Sequence, residues 1–219
     1  MSLAAGPSIV TSGLVLDLDA RNIRSYPNTG TTWYDRSGNG FDWTLPSSGT
    51  YNASGYMGYV NNTSARAAAP SWYANTTDMT IECIYNPSNP YSACCETVFG
   101  TYWFRFFQIG TGMYTMIGFN NGAGGSTYQH PVYAINLNQW HHCVGMRRNN
   151  NFIIWIDGIE MYNTNWGTGL SFYDNSGTWY LSAAGHPSVN IATARIYNRG
   201  LSDSELIQNF NATRSIYGL

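Results

Sequence analysis

The sequence contains no lysine and little charge of either sign. Charged residues make up 10% of its 219 residues, and the formal net charge is −2. It therefore lacks the basic surface that attracts nucleic acid or an anionic membrane, and we expect neither partner. No run of about 18 apolar residues predicts a transmembrane helix. The first residues also lack the basic and apolar regions of a signal peptide, so we expect synthesis in a cytoplasm without export by such a signal.

Acidic residues are too few and too scattered to suggest catalysis. Glycoside hydrolysis needs two carboxyl groups about 5 to 9 Å apart on either side of the sugar bond. Glu82 stands alone in its strand, and Glu205 is explained by helix capping. Asp17 and Asp19 share one strand face, and we expect both to point outward, opposite the neighbouring leucines. With no nucleophile elbow or phosphate loop either, the sequence predicts a protein that is not an enzyme.

The four cysteines and four histidines do not have metal-ligand spacing. Cys94 and Cys95 are adjacent, and no second Cys or His pair completes a set of four ligands. His141 and His142 are adjacent in a predicted strand, so their side chains point to opposite faces. We expect one beside Trp140 and the other on the outer face of a sheet. No metal site is predicted.

The apolar pattern is typical of an all-β protein. Short runs alternate with period two and are separated by Gly, Asn and Pro turns. Leu14, Leu16 and Leu18 lie on one face of the first predicted strand, and residues 140–146 and 152–158 predict a hairpin. Many short strands of this kind indicate a two-sheet antiparallel sandwich. We predict one domain over residues 13–219, preceded by an extended N-terminal arm at residues 1–12.

The end of the chain predicts a strand followed by a short helix. Residues 194–201 alternate in polarity up to a glycine turn, and Ser202 and Glu205 then have the spacing of a capping box. In that motif the Ser202 hydroxyl accepts a hydrogen bond from the amide of Glu205, and the Glu205 carboxylate accepts one from the amide of Ser202. A C-terminal helix should therefore begin after Ser202.

Several segments, in this order, resemble laminin-G-like and pentraxin-like jelly rolls of the concanavalin A-like lectin/glucanase superfamily. They are residues 13–20, 33–38, 140–143, 155–158 and 195–205. The opening is similar to laminin-G-like domains of tailed-bacteriophage structural proteins. The resemblance implies a jelly-roll fold and a non-enzymatic role in a phage virion, as a head-decoration, tail or fibre-associated protein. It also implies other virion proteins as partners, and a homo-oligomer such as a trimer.

The same resemblance carries two further implications. Cys83 and Cys143 match the two cysteines that form the core disulfide of pentraxins, which implies that they are neighbours, either as a disulfide or as two buried thiols. The acidic calcium loop of pentraxins would fall near residues 182–189, which contain no carboxylate. Calcium needs several such ligands, so no cofactor is expected. The alternative left open is a structural calcium ion near Asp35 or Asp174.

Aromatic and amide side chains support a carbohydrate-binding alternative. Neutral sugars are held by ring stacking together with planar hydrogen-bonding groups. The alternative assignment for these aromatic rings is the core or a subunit interface, and we place Trp33, Trp140 and Trp155 in the core. A lectin that binds neutral polysaccharide, without a virion role, is therefore the second hypothesis, and a glucanase is the third. The candidate ligand-binding residues are Tyr102, Trp103, Asn120, Asn121, Tyr128, His130 and Trp166.

Overall fold

The computed structural model describes the backbone of residues 7–45, 50–59, 66–68, 78–88, 93–99, 102–109, 112–119, 126–129, 133–165, 178–180 and 189–219. Side chains are described for residues 7–45, 51–58, 78–88, 135–165 and 189–219. These residues form antiparallel strands and a C-terminal helix. Within them, no helix has the length and apolar character that crossing a membrane requires.

The strands are short and follow one another closely along the chain. They are β1 (Leu14–Asp19), β2 (Thr32–Trp33), β3 (Trp43–Thr44), β4 (Thr50–Asn52), β5 (Tyr56–Tyr59), β6 (Arg66–Ala68), β7 (Met79–Pro87), β8 (Ala93–Phe99), β9 (Tyr102–Ile109), β10 (Gly112–Phe119), β11 (Ser126–Gln129), β12 (Tyr133–Ala134), β13 (His141–Arg148), β14 (Asn151–Ile156), β15 (Ile159–Asn165), β16 (Thr178–Tyr180) and β17 (Val189–Tyr197), and the helix is α1 (Asp203–Tyr217).

The strands form two sheets. The first has eight strands in the order β15-β14-β13-β7-β17-β5-β4, with β1 also paired to β17. The second has nine strands in the order β11-β10-β9-β8-β16-β6-β3-β2, with β12 paired to β10. Strands distant in sequence are neighbours in both sheets, as the β7–β17 pair illustrates. The predicted antiparallel sandwich is confirmed.

The main core lies between the two sheets. Leu16 and Leu18 of β1 and Ile81 of β7 point inward from the first sheet, and Trp33 and Trp43 meet them from the second. Period-two alternation explains the placement of Leu16 and Leu18, because successive side chains of a strand face opposite sides. Leu14 was predicted on the same face, but it packs on the opposite face of the sheet, because the register of β1 shifts between Leu14 and Leu16. Trp33 is fully buried, as predicted from the sequence.

A second apolar cluster lies on the opposite face of the first sheet. It contains Val144, Met146 and Tyr197 of the sheet. They pack against Leu201, which precedes α1, and Leu206, which lies within it. The first sheet is therefore covered on both faces, by the second sheet and by α1. Polar side chains that alternate with the core residues consequently lie under the helix and are shielded from water.

Helix α1 begins with the predicted capping box. The amide of Glu205 donates to Ser202 Oγ at 3.3 Å, and the amide of Ser202 donates to Glu205 Oε2 at 2.8 Å. Arg199 makes a two-pronged ion pair with the same carboxylate, at 2.6 and 2.8 Å. The Arg199 hydrogen bond and the capping interactions together lower the pKa of Glu205 to about 2, although burial opposes the shift. The helix ends at Gly218, which has a left-handed backbone conformation.

The predicted hairpin is also confirmed. Strands β13 and β14 pair directly, and Asn149 and Asn150 between them have φ angles of 51° and 66°. Positive φ at both central residues is the geometry of the tight turn that matches strand twist, and asparagine tolerates it. Asp157 and Gly158 make the same kind of two-residue connection from β14 to β15, with φ angles of 50° and 82°. A Cβ atom at Gly158 would lie 2.7 Å from the Phe210 ring of α1.

The described part of the expected N-terminal arm lies on α1 of the same chain. The Gln208 side chain donates to the carbonyl of Ser8 at 2.7 Å, and the amide of Val10 donates to Asn209 Oδ1 at 2.8 Å. Val10 is buried in the apolar cluster beneath the helix. Residues 8–10 are thus bound to their own domain. Residues 1–6 of the expected arm lie outside the described residues.

Candidate functional site

The carbohydrate-binding residues predicted from the sequence lie where side chains are not described. Tyr102 and Trp103 are in β9, and Tyr128 is in β11. The other predicted positions lie outside the described residues and are Asn120, Asn121, His130 and Trp166. Residues 182–188, where the calcium loop of pentraxins would fall, are outside them as well. The site predicted at these positions therefore stays a prediction.

Cys83 and Cys143 face each other on adjacent strands. They are paired in register between β7 and β13, and both are fully buried in the main core. They are thiols and are not joined by a disulfide. Of the two forms that the pentraxin resemblance allowed, the structure contains the reduced pair.

A buried charge network corrects the placement of two acidic residues. Asp17 was expected to face outward and Glu82 to stand alone, but Arg195 binds both of them under α1. Arg195 Nε donates to Asp17 Oδ1 at 3.0 Å, and Arg195 Nη1 donates to Glu82 Oε1 at 2.8 Å. All three side chains are at most 3% exposed. Asp17 does point away from the main core, as predicted, but α1 covers that face of the sheet and the carboxylate is buried.

Helix α1 contributes to the same network. The Asn209 amide donates to Glu82 Oε2 at 2.6 Å and to the Tyr197 hydroxyl at 3.0 Å. His142 Nε2 lies 3.2 Å from Glu82 Oε1, so this histidine is on the outer face of the sheet but is only 1% exposed. Burial alone would raise the pKa of Glu82, but Arg195, His142 and Asn209 hold it well below its usual range. The network is sealed from solvent and joins the helix to the sheet.

The candidate functional site is a cleft where β13, the β14–β15 turn and α1 meet. Its volume is about 540 Å³. Trp140 was assigned to the core, but it is only half-buried and lines this cleft, because it precedes β13 at the edge of the sandwich. Its ring centroid lies 5.2 Å from that of Tyr217 and 5.5 Å from that of Tyr56. Tyr217 also lines the cleft, and the remaining lining residues are Asn136, Gln139, His141, Asp157, Phe210, Gly218 and Leu219.

A histidine–aspartate pair lies among the cleft's polar groups. His141 Nδ1 lies 2.8 Å from Asp157 Oδ2, and His141 Nε2 lies 3.0 Å from the carbonyl oxygen of Asn136. Two acceptors on one ring favour the imidazolium form. Burial opposes that charge, but the hydrogen bond and charge of Asp157 and the Asn136 carbonyl raise the pKa of His141 above its ordinary value.

This geometry is suited to binding. Both nitrogens of His141 are engaged, so the ring presents no lone pair that could take a proton from a substrate. The carboxylate of Asp157 accepts one hydrogen bond on each oxygen, from His141 and from the amide of His142. A carboxylate has about four acceptor positions. Because the Asp157 side chain is 33% exposed, the remaining positions can receive hydroxyl groups of a ligand.

Asp35 was one of the two positions considered for a structural ion, and its carboxylate instead accepts hydrogen bonds from β1 and from its own loop. Its Oδ1 accepts from the amides of Asp17 and Ser37, and its Oδ2 accepts from the Ser37 hydroxyl and the Phe41 amide. These bonds organise the loop between β2 and β3. Asp174, the other position, lies outside the described residues. Among the residues with described side chains, no group of three or more His, Cys, Asp or Glu is placed to hold a metal ion.

A family model described as the concanavalin A-like lectin/glucanases superfamily, of the laminin G type, matches residues 61–207. The match covers more than half of the chain, and the sandwich agrees with it. The chain belongs to this superfamily. A comparison with curated protein sequences gave no match for this concanavalin A-like domain.

Solved structures with similar folds include toxin binding domains and a sialidase. The binding domain of Paraclostridial Mosquitocidal Protein 1 has a TM-score of 0.75 at 12% identity, over 94% of this chain and 55% of that one. The receptor-binding domain of botulinum neurotoxin D has a TM-score of 0.70 at 8% identity, over 91% and 52%. Trypanosoma rangeli sialidase, solved with sialic acid, has a TM-score of 0.66 at 15% identity, over 95% and 34%.

At these identities the likeness shows the fold alone. This concanavalin A-like domain spans about half of the toxin binding domains and about a third of the sialidase. Sequence reasoning did not assign Asp157 or Tyr217 to a ligand site, although residues 155–158 were among the family-like segments, and it did not consider Tyr56. The Asp157–Gly158 pair was a signal, but it indicates a tight turn and says nothing about a ligand.

Proposed function

We propose that this domain is a non-catalytic carbohydrate-binding module and that the cleft beside Trp140 binds the saccharide. The observation that carries the proposal is that the rings of Trp140 and Tyr217 line one cleft together with the partly exposed carboxylate of Asp157. The Tyr56 ring packs against Trp140. Aromatic rings stack on the apolar faces of sugars, and carboxylate and amide groups bind the hydroxyls.

The arrangement of hydrogen bonds supports recognition over hydrolysis. Asp157 provides the side-chain carboxylate that lines the described cleft. It is held by the His141 ring and by the backbone amide of His142. Hydrolysis needs a second carboxyl group about 5 to 9 Å away on the other side of the sugar bond. The cleft therefore supplies contacts that fix the orientation of a sugar, without the pair of acids that would cleave it.

Glycan-array screening of the purified domain, followed by calorimetric titration with the oligosaccharides that bind, tests this proposal. Trp140→Ala should weaken binding about tenfold, because one stacked ring contributes roughly that factor. Tyr34→Ala is the matched control, since Tyr34 is exposed and does not line the cleft. Absence of binding to any saccharide, or equal affinity of Trp140→Ala and the unmodified domain, would contradict the proposal.

A second measurement separates binding from catalysis. Oligosaccharides that bind should be recovered intact after prolonged incubation with the domain, as analysed by chromatography. Hydrolysis that continues in Asp157→Asn would place a catalytic centre elsewhere in the chain. Hydrolysis abolished by that substitution would make this cleft an active site and overturn its assignment to binding.

The phage setting implied by the sequence resemblance stays a finer proposal. It places this binding module in a tailed-phage virion, made in the host cytoplasm, in contact with other virion proteins and as a homo-oligomer. The toxin and sialidase neighbours neither name a virion nor oppose one. Mass spectrometry of purified particles should detect the chain if the proposal is correct, and its absence from every particle would refute it.

A further inference from the structure

Arg21 lies beside the cleft and is positioned by a hydrogen bond of its backbone amide and by packing of its aliphatic side-chain atoms. Its amide donates to Asp19 Oδ1 at 3.0 Å. Its aliphatic stem crosses Gly55 so closely that a Cβ atom there would collide with Arg21 Cγ. Gly55 has a φ of 86°, a conformation that already favours glycine. The position of Arg21 is thus built into the turn between β4 and β5.

The guanidinium of Arg21 lies between two clefts of the surface. Its central carbon lies 5.9 Å from the centroid of the Tyr217 ring, which lines the main cleft. Arg21 also lines a second cleft of about 260 Å³, together with Tyr51 and residues 53–55. On the other side of this junction, the Tyr56 ring meets Trp140. The Arg21 cation therefore lies next to both the Tyr217 ring of the main cleft and the second cleft.

The charge of Arg21 is not neutralised within the described part of the chain. Asp19, its nearest acidic neighbour in sequence, pairs with Arg36 Nη1 at 3.4 Å. No ion pair joins Arg21 to a carboxylate among the described residues. An exposed guanidinium whose stem is packed, and which has no anionic partner among the described residues, pairs well with a planar anion, because its hydrogen-bond donors form a rigid fork.

We infer that the ligand of this cleft is an acidic saccharide, whose sugar ring lies against Trp140 and Tyr217 and whose anionic group pairs with Arg21. The inference rests on the proposed function and makes it more specific, since the sequence predicted a neutral polysaccharide. The shared chemistry is a sugar that carries a carboxylate or a sulfate. The fork of the guanidinium accommodates either group, so the experiment distinguishes them.

Calorimetric titrations with three trisaccharides of equal length test this inference. They are trigalacturonic acid, its carboxyl-reduced neutral form and a sulfated galactose trisaccharide. At least one acidic ligand should bind about tenfold more tightly than the neutral one, and raising the salt concentration should reduce this advantage. Arg21→Gln should remove this advantage, so that the acidic and neutral trisaccharides bind the variant with equal affinity. Arg24→Gln is the control, because Arg24 is exposed but lines neither cleft.

The outcomes separate this inference from the proposed function. Equal binding of acidic and neutral trisaccharides that is lost in Trp140→Ala would overturn the role of Arg21 and leave a neutral-sugar site. An acidic preference that Arg21→Gln does not change would also overturn it, by placing the anion elsewhere. If glycan-array screening finds no saccharide that binds, the proposed function fails and the inference fails with it.

Discussion

Replacing Arg195 with methionine should strongly destabilise the domain. Arg195 separates two buried carboxylates, with bonds of 3.0 Å to Asp17 and 2.8 Å to Glu82. Removing one partner of a buried ion pair costs about 3 to 5 kcal/mol, because a charge is left without compensation in a medium of low polarity. That is a large part of the stability of a typical domain, which totals about 5 to 15 kcal/mol.

Urea denaturation at pH 7, followed by tryptophan fluorescence, measures this loss. Arg24→Met provides the control, because Arg24 is exposed and such surface substitutions change stability by only about 0.5 kcal/mol. A loss below about 1 kcal/mol for Arg195→Met, equal to that of the control, would refute our description of the network as a buried, tightly coupled group.

The same variant should show a characteristic pH dependence. In the unmodified domain the folded-state pKa of Glu82 is lowered, so its contribution to stability is present above the ordinary pKa of 4.5 and is lost as the pH falls through the folded value. Without the guanidinium, burial should raise that pKa, and the folded variant should gain stability by taking up a proton. The stability difference between the two proteins should therefore narrow between pH 7 and pH 4. A stability difference that stays constant between pH 7 and pH 4 would show that Arg195 does not lower the pKa of Glu82.

Three further changes test individual features. Ser202→Ala should lower the free energy of unfolding by about 1 kcal/mol through loss of the helix cap, and an unchanged urea midpoint would count against that contact. Gly158→Ala should cost more than about 1 kcal/mol, because its φ is positive and the new Cβ would meet Phe210; full stability would show that the turn relaxes freely. The pKa of His141, followed by NMR, should lie above its ordinary value of 6.5. The His141–Asp157 pair should therefore stabilise the fold fully below pH 6.5, and this stabilisation should be lost as the pH rises through the raised pKa. Asp157→Asn should lower the titration midpoint, and an unchanged midpoint would exclude the pair as its cause.

The local rules predicted much of the fold. Alternation located β1, β7, β13 and β17, and the capping box located the start of α1. These features depend on residues close together in sequence, so a pattern can reveal them. The sandwich followed from the number of strands and from the order of the family-like segments.

The errors share one physical cause. Alternation shows that Asp17 and Glu82 leave the main core, but it does not show what covers the opposite face of the sheet. Helix α1 covers it, and only the tertiary structure brings Asn209 to these carboxylates. Trp140 was misplaced for a related reason, since a large ring at the start of a strand can lie at the edge of a core as well as inside it.

The assignment of ligand binding to the Trp140 cleft can be tested most directly by ¹⁹F NMR of the domain labelled with 5-fluorotryptophan. The eight tryptophans give separate probes, and Trp140→Phe assigns the resonance of interest. Titration with a saccharide selected on the glycan array should shift the Trp140 resonance and leave those of the core residues Trp33 and Trp155 unchanged. A shift confined to Trp103 or Trp166 would contradict the account and place the ligand at the residues predicted from the sequence.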